Sequence, residues 1–427
     1  MKIRSITCFF DPRARGAHQT IDRMGQFMQA ARDQYRSSGF EVQTTRLVTV
    51  PFPYLYPTAE VDSAVHWAQT LEADAKERGF DYIALGPALT SSSDSYSVVV
   101  PILSATKDVF LSGMLTTPNS EVSLPSVHAC AEIIHRTSTI TPDGFTNLRF
   151  GALANVGPNG PFLPGAYHQG ERPAFALAME CADVAYSAIR RARTLSEARQ
   201  SIINTLEAQA VSLTSAANHL AQRFDVDFRG IDFSLAPYPE EWCSLGAALE
   251  ALGLPALGMS GSLAAAAFLA DTLDRGSWLR TGFNGMMMPV LEDSTLAARS
   301  AEGTFTIHDL LMYSAVCGTG LDTVPIPGDA SADQIAALLL DVASLALRLN
   351  KPLTARLMPV PGKAAGDPTG FDFSVFAPGR VMALHAAPLS RLLAGSETYS
   401  IRSRGSYYTS SSVITMSNEQ CFMEFLQ

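Results

Sequence analysis

The side chains best suited to chemistry cluster in Gly- and Pro-rich stretches next to apolar runs. Arg356-Leu-Met-Pro-Val-Pro-Gly-Lys363 runs on through Ala-Ala-Gly to Asp367, placing a guanidinium, an ammonium and a carboxylate along one stiff turn. The two cations suit a substrate carboxylate or phosphate, with Asp367 orienting Lys363. An exposed salt-bridged turn would use the same residues. Asp322 and Asp329 flank Thr-Val-Pro-Ile-Pro-Gly, a spacing that suits a hard cation such as Mg or Ca, or a substrate ammonium. It equally suits a turn organised by Asp329 with Ser331 capping the next helix. Glu292-Asp293 gives adjacent carboxylates after Gly285-Met-Met-Met-Pro289. Such a pair can bind a metal, or act as a base with its positioning partner, or start a helix.

Two further loops carry polar groups. Asn155-Val-Gly-Pro-Asn-Gly-Pro-Phe-Leu-Pro-Gly-Ala-Tyr-His168 is too rich in Gly and Pro for a helix. It can point Asn155, Tyr167 and His168 into a cavity, or serve as a structural loop whose His is bonded to backbone. Gly258-Met-Ser-Gly-Ser262 precedes an Ala-rich helix, where free amides attract anions and Ser262 can contribute. Ser262 is also a good N-cap, and no Lys follows the last Gly, so this is no Walker loop.

Other chemistries are missing. There is no GxSxG, HExxH, EF-hand loop or GxGxxG, and the eight His residues are scattered. Six Cys residues form no CxxC pair, which argues against a zinc knuckle or redox dithiol and fits a reducing, cytoplasmic setting. A net charge of −10 argues against nucleic acid or an anionic membrane as partner, since both demand clustered Lys and Arg. No run reaches the roughly 18–20 apolar residues of a membrane span, and the N-terminus reads as a strand and not a secretory signal.

The elements that must position these groups alternate. Strands are expected at Ile3–Phe10, Phe40–Val50, Tyr82–Gly86, Val109–Leu115 and Leu148–Asn155, with helices at Ile21–Tyr35, Val61–Arg78, Tyr96–Lys107 and Ser123–Arg136 between them. Alternation of this kind predicts largely parallel strands with helical crossovers. Pro173–Arg193 and Leu195–Gln222 read as two long helices. Phe228–Ala236 and Leu353–Met358 read as strands, and Leu263–Leu273, Ile307–Ala315 and Gln334–Asn350 as helical units.

The same segments carry a family resemblance. Met1-Lys-Ile-Arg-Ser-Ile-Thr7, Pro161-Phe-Leu-Pro-Gly-Ala-Tyr-His168, Asp232-Phe-Ser-Leu-Ala-Pro237, Glu292-Asp293, Ala315-Val-Cys-Gly-Thr-Gly-Leu-Asp322, Ile326-Pro-Gly-Asp329 and Pro359-Val-Pro-Gly-Lys363, in that order, resemble domain of unknown function 711. The resemblance reaches to about residue 385. It implies a fold like pyruvate formate-lyase and anaerobic ribonucleotide reductase, a roughly ten-stranded α/β barrel of two five-stranded halves. Those halves would be residues 1–225 and 226–395 of a single domain, with 396–427 as an extension. By that analogy Cys317 sits on a finger loop at the centre, as a nucleophile or as an inert buried thiol. Arg402-Ser-Arg-Gly405-Ser-Tyr407 is only a loose echo of a glycyl-radical loop, so no glycyl radical is expected. The chain departs from the family at Gly157-Pro-Asn-Gly160, where members usually carry an acidic pair.

The resulting expectation is a non-radical lyase or isomerase acting on a small anionic metabolite. Arg356, Lys363, Asp367, Asn155 and Ser262 would bind substrate, Cys317, His168 and Asp322 would act on it, and Glu292, Asp293 and Asp329 would take a divalent cation. A non-catalytic metabolite sensor would use the same loops. A homo-oligomer is compatible with either.

Overall fold

Ile6, Cys8 and Phe10 alternate with Ser5, Thr7 and Phe9 along the first strand, and this two-residue period gives the sheet two unlike faces. The computed structural model describes residues 1–14, 16–56, 60–316 and 319–404. Its strands are β1 Lys2–Phe10, β2 Val42–Thr49, β3 Tyr82–Ala88, β4 Val109–Met114, β5 Glu121–Ser123, β6 Phe150–Ala154, β7 Ala174–Glu180, β8 Asp227–Asp232, β9 Gly320–Pro327, β10 Leu353–Val360 and β11 Thr398–Ser400. The helices are α1 Ala17–Ser37, α2 Val61–Glu77, α3 Val99–Ala105, α4 Leu124–Thr137, α5 Ala182–Arg191, α6 Leu195–Phe224, α7 Leu245–Glu250, α8 Ser262–Asp274, α9 Ser294–Glu302, α10 Ile307–Ser314 and α11 Ala332–Leu349. No helix among the described residues is long and apolar enough to cross a membrane.

Nine strands form one sheet in the order β8-β7-β1-β2-β3-β4-β6-β10-β9, and β5 pairs separately with β11. The five strands from β1 to β6 are mutually parallel. At each end of that group the direction reverses: β7 runs antiparallel to β1, and β10 antiparallel to β6. Beyond those reversals β8 is parallel to β7, and β9 to β10. The ladder therefore holds nine strands and not ten, and no continuous ladder joins β8 to β9 among the described residues. The segment from Leu279 to Val290 nevertheless touches both outer strands. Ile231 bridges Arg280 and Pro289 bridges Asp322, both in parallel sense. Leu235 N–H donates to Gly285 O at 2.9 Å and Val290 N–H to Asp322 O at 3.0 Å.

Helices cover one face. The main apolar core lies there, with Phe27, Met24 and Tyr35 of α1, Ala68 of α2 and Ile134 of α4 packed on Ile6, Leu47, Ile83 and Leu111. The other face carries a mixture of polar, small and aromatic side chains. It is crossed by the loop between β6 and β7, whose ends lie at opposite edges of the five-strand group. Leu163 and Ala166 of this loop pack on Phe9, Val48, Ala84 and Phe110. Thr7 Oγ1 donates to Pro161 O at 2.9 Å, and His168 N–H donates to Thr49 O at 2.9 Å. Gly151 permits the close approach: a Cβ there would lie 2.6 Å from Pro164 Cγ.

Two sequence expectations need correcting. Pro173–Arg193 is not one helix, because its first part is β7. Phe175, Leu177 and Met179 face the helical core while Ala174, Ala176 and Ala178 face the loop, so a buried strand has the composition of a helix. The segment Asp322–Pro327 is not a loop but most of β9. Its prolines are tolerated because β9 ends the ladder and needs fewer backbone donors.

Candidate functional site

Three arginines converge at the end of the sheet where the parallel strands begin. Arg4 comes from β1, Arg46 from β2 and Arg356 from the middle of β10. Together they bound a cavity of about 420 Å³, and a smaller one of about 70 Å³ deeper in, against the loop at Leu163.

Arg4 donates to Glu180 Oε2 at 3.1 Å and pairs with Glu292. Gln43 Nε2 also donates to Glu180, at 2.7 Å. Arg356 donates from Nη2 to Glu292 Oε1 at 3.0 Å and from Nε to Asp322 Oδ1 at 2.6 Å. Glu292 thus bridges two arginines. Asp322 reaches Arg356 because the pairing of β9 with β10 slips between Ala355 and Leu357, beside Thr323 at φ 41°. A bulge of this kind re-aims a side chain, and a left-handed Thr is a strained conformation of the sort found at functional sites. Burial pushes the Asp322 carboxyl above the usual carboxylate range. The guanidinium of Arg356 opposes this, and the charge of Glu292 adds to it.

Arg46 is different. It is 8% exposed, and its bonds run from Nε to Thr44 Oγ1 at 3.2 Å and from Nη1 to Pro161 O at 3.4 Å. Among the described residues no carboxylate lies within ion-pair distance of it. Burial, reinforced by the charge of Arg4, pulls its pKa down to about 9. A buried guanidinium without a counter-charge is costly, and an anion in the adjoining cavity would relieve that cost.

The other expected residues are scattered. His168 and Asn155 lie at the opposite end of the parallel strands, in a cavity of about 600 Å³ bounded by the strand C-termini. His168 is fully buried, with Nδ1 3.2 Å from Asn159 Oδ1 and its ring stacked on Phe9. Burial, followed by the charge of Arg229, lowers its pKa to about 4. Asn155 bonds Asn350 Oδ1 through Nδ2 at 3.3 Å. In this cavity Arg13 is committed to Asp11, at 2.7 Å.

Ser262 Oγ accepts from Gly258 N–H at 3.1 Å, inside its own turn. Asp293 is the N-cap of α9. Its two oxygens accept from Thr295, Leu296, Leu245 and Gly246 N–H and from Ser244 Oγ, which commits it to helix capping. Lys363 and Asp329 are exposed, and neither borders a cavity described above. Asp367 accepts from Ala364 N–H at 2.8 Å and closes an exposed turn. Cys317 lies outside the described residues, as do Gly405 and Tyr407. Among the described residues no group of three or more His, Cys, Asp or Glu side chains is placed to hold a metal ion.

The structure thus brings together Arg356, Asp322 and Glu292 from the expected set and adds Arg4, Arg46 and Glu180. The signal for the arginines was present: each interrupts a strand whose neighbours, Ile3 and Ser5 or Thr45 and Leu47, are buried. Asp232 of the resemblance motifs has a structural role. Its carboxylate accepts from Ser234, Phe283 and Asn284 N–H and anchors the segment that touches β8 and β9.

Comparison with known proteins agrees with the motif order. The family model described as "Uncharacterised ACR (DUF711)" matches residues 1–374. A UPF0210 protein of Pyrobaculum aerophilum is 33% identical over 353 residues, covering 77% of this chain and 76% of that protein. UPF0210 proteins of Neisseria meningitidis, at 29% over 351 residues (78% of this chain and 77% of that one), and Halothermothrix orenii, at 27% over 363 residues (81% and 80%), are similar over nearly the same span. With residues 1–374 matched by the family model and a relative 33% identical over most of both chains, the chain belongs to the DUF711 family.

Proposed function

We propose that the chain is an enzyme of small anionic metabolites, of the non-radical lyase or isomerase type, with its site at Arg4, Arg46 and Arg356. One observation carries the reading: Arg46 is buried, borders both cavities and has no carboxylate partner among the described residues. In this reading Arg46 holds the anionic group of the substrate. Asp322, whose carboxyl burial pushes up while Arg356 opposes the shift, is the acid–base group, and Glu292 holds Arg4 and Arg356 in place. The antiparallel junctions at β1–β7 and β6–β10, with Leu279–Val290 touching both outer strands, support a barrel of two five-stranded halves related to pyruvate formate-lyase. The arginine site would then lie inside it, under the crossing loop.

The test is a thermal-shift screen against small carboxylates and phosphates, with and without Mg²⁺, followed by product analysis of every stabilising compound. A ligand at a hundredfold its Kd should add about 2.7 kcal/mol. Conversion of a stabilising compound to product supports the enzyme. Binding with unchanged recovery of the compound would turn the same site into that of a metabolite sensor.

A further inference from the structure

We infer that the anion held by Arg46 is a single carboxylate on a flat, apolar body, such as an aromatic acid; this deepens the anion-binding reading above and rests on it. The two cavities divide the ligand. The inner one, about 70 Å³, is bounded by Arg46, Arg356, Asp322 and Glu292 and has room for little more than a carboxylate. The outer one, about 420 Å³, shares Arg4, Arg46, Leu163, Glu292 and Arg356 with it and adds the rings of Tyr82, Phe110, Tyr238 and Phe373 beside a polar rim of Lys2, Glu41 and Gln43. Tyr82 and Phe110 stand edge to face at 5.3 Å, an arrangement that presents ring surface to a third flat group.

The charges set the limit of one. Arg4 is committed to Glu180 and Glu292, and Arg356 to Glu292 and Asp322. At the outer rim Lys2 is already paired with Glu41 at 3.1 Å and lies over the ring of Tyr238. Among the described residues Arg46 is the one of the three arginines without an ion pair, so the site offers a pairing partner to one negative charge. A second charge, as in phosphate or a dicarboxylate, would face Glu292, which lines both cavities, and be repelled.

The experiment is calorimetric titration of the full chain with phenylacetate, acetate and inorganic phosphate, repeated with Arg46→Gln and Phe373→Ala. Phenylacetate should bind at least about tenfold more tightly than acetate or phosphate, since only it brings a ring against Tyr82, Phe110 and Phe373. Arg46→Gln should abolish that binding, and Phe373→Ala should weaken phenylacetate while leaving acetate unchanged. Acetate or phosphate binding as tightly as phenylacetate, and lost in Arg46→Gln, would overturn the ligand class and leave the anion site standing. Absence of any binding that depends on Arg46 would overturn both. Circular dichroism of each variant separates loss of ligand from loss of fold.

Discussion

Arg356 donates to Asp322 at 2.6 Å across two neighbouring strands, and its other arm reaches Glu292 at 3.0 Å. One guanidinium therefore holds two buried carboxylates that are thirty positions apart in sequence, counting from 292 to 322. Removing it leaves Asp322 without its guanidinium and Glu292 with Arg4 alone. Arg356→Met should cost about 3–5 kcal/mol at neutral pH, measured by urea denaturation. In that variant Asp322, freed of the guanidinium that opposes the effect of burial, would hold its proton to higher pH than in the unfolded chain. Its stability should then be recovered as pH falls and lost as pH rises. Adding Glu292→Gln and Asp322→Asn should recover most of the loss. A deficit that is independent of pH would mean that the pairing is not its cause.

Arg46 predicts the opposite sign. Its folded pKa, pulled to about 9 by burial and by Arg4, lies below the ordinary 12.5. Between those values the unfolded chain binds more protons, so stability rises with pH, and below pH 9 the full penalty is present. Arg46→Met should therefore be more stable than the wild type at pH 7, by an amount on the order of 1–4 kcal/mol, with the gap narrowing above pH 9. Thermal denaturation of both proteins from pH 6 to 10.5 measures this. A less stable Arg46→Met would mean that the guanidinium already has its counter-charge.

His168 provides a second pH signature at the other end of the sheet. Burial, then Arg229, lowers its pKa to about 4 from 6.5. The stability of the neutral ring is present above pH 6.5 and is lost as pH falls toward 4. Relative to His168→Gln, the wild type should lose up to about 3 kcal/mol across that window. Parallel pH profiles of the two proteins would exclude a buried neutral His168.

The crossing loop can be tested through one glycine. Gly151→Ala places a Cβ 2.6 Å from Pro164 Cγ, so the loop must shift, at about 1–3 kcal/mol. Gly157→Ala meets nothing within 4 Å and should stay within about 0.5 kcal/mol of wild type. Equal effects from the two substitutions would mean that the loop does not rest on β6.

Much of the scaffold is legible from the residue pattern, because β1, β2, β3, β4 and β6 alternate with α1 through α4 as apolar strand-length runs and helix-period segments. The strand β7 is not, since alternation of Phe, Leu and Met with Ala has no polar face to betray it. Of the site, Arg356, Asp322 and Glu292 were found as chemistry-bearing residues, but in separate loops. Only the adjacency of β9 and β10 and the slip at Thr323 bring them together. Glu292 and Asp293 show the limit of reading neighbours as a pair. One reaches two arginines, and the other spends both oxygens on the starts of α7 and α9. Arg4 and Arg46 carry no loop signal, because they project from β1 and β2 and not from Gly- and Pro-rich segments.

The most direct test of the account is calorimetric titration of one stabilising carboxylate into the wild type and into Arg46→Gln, at low and high salt. The account predicts saturable binding to the wild type that weakens little with salt, because the pair is buried, and no binding to a folded Arg46→Gln. Equal affinity of the two proteins would contradict it and move the ligand elsewhere.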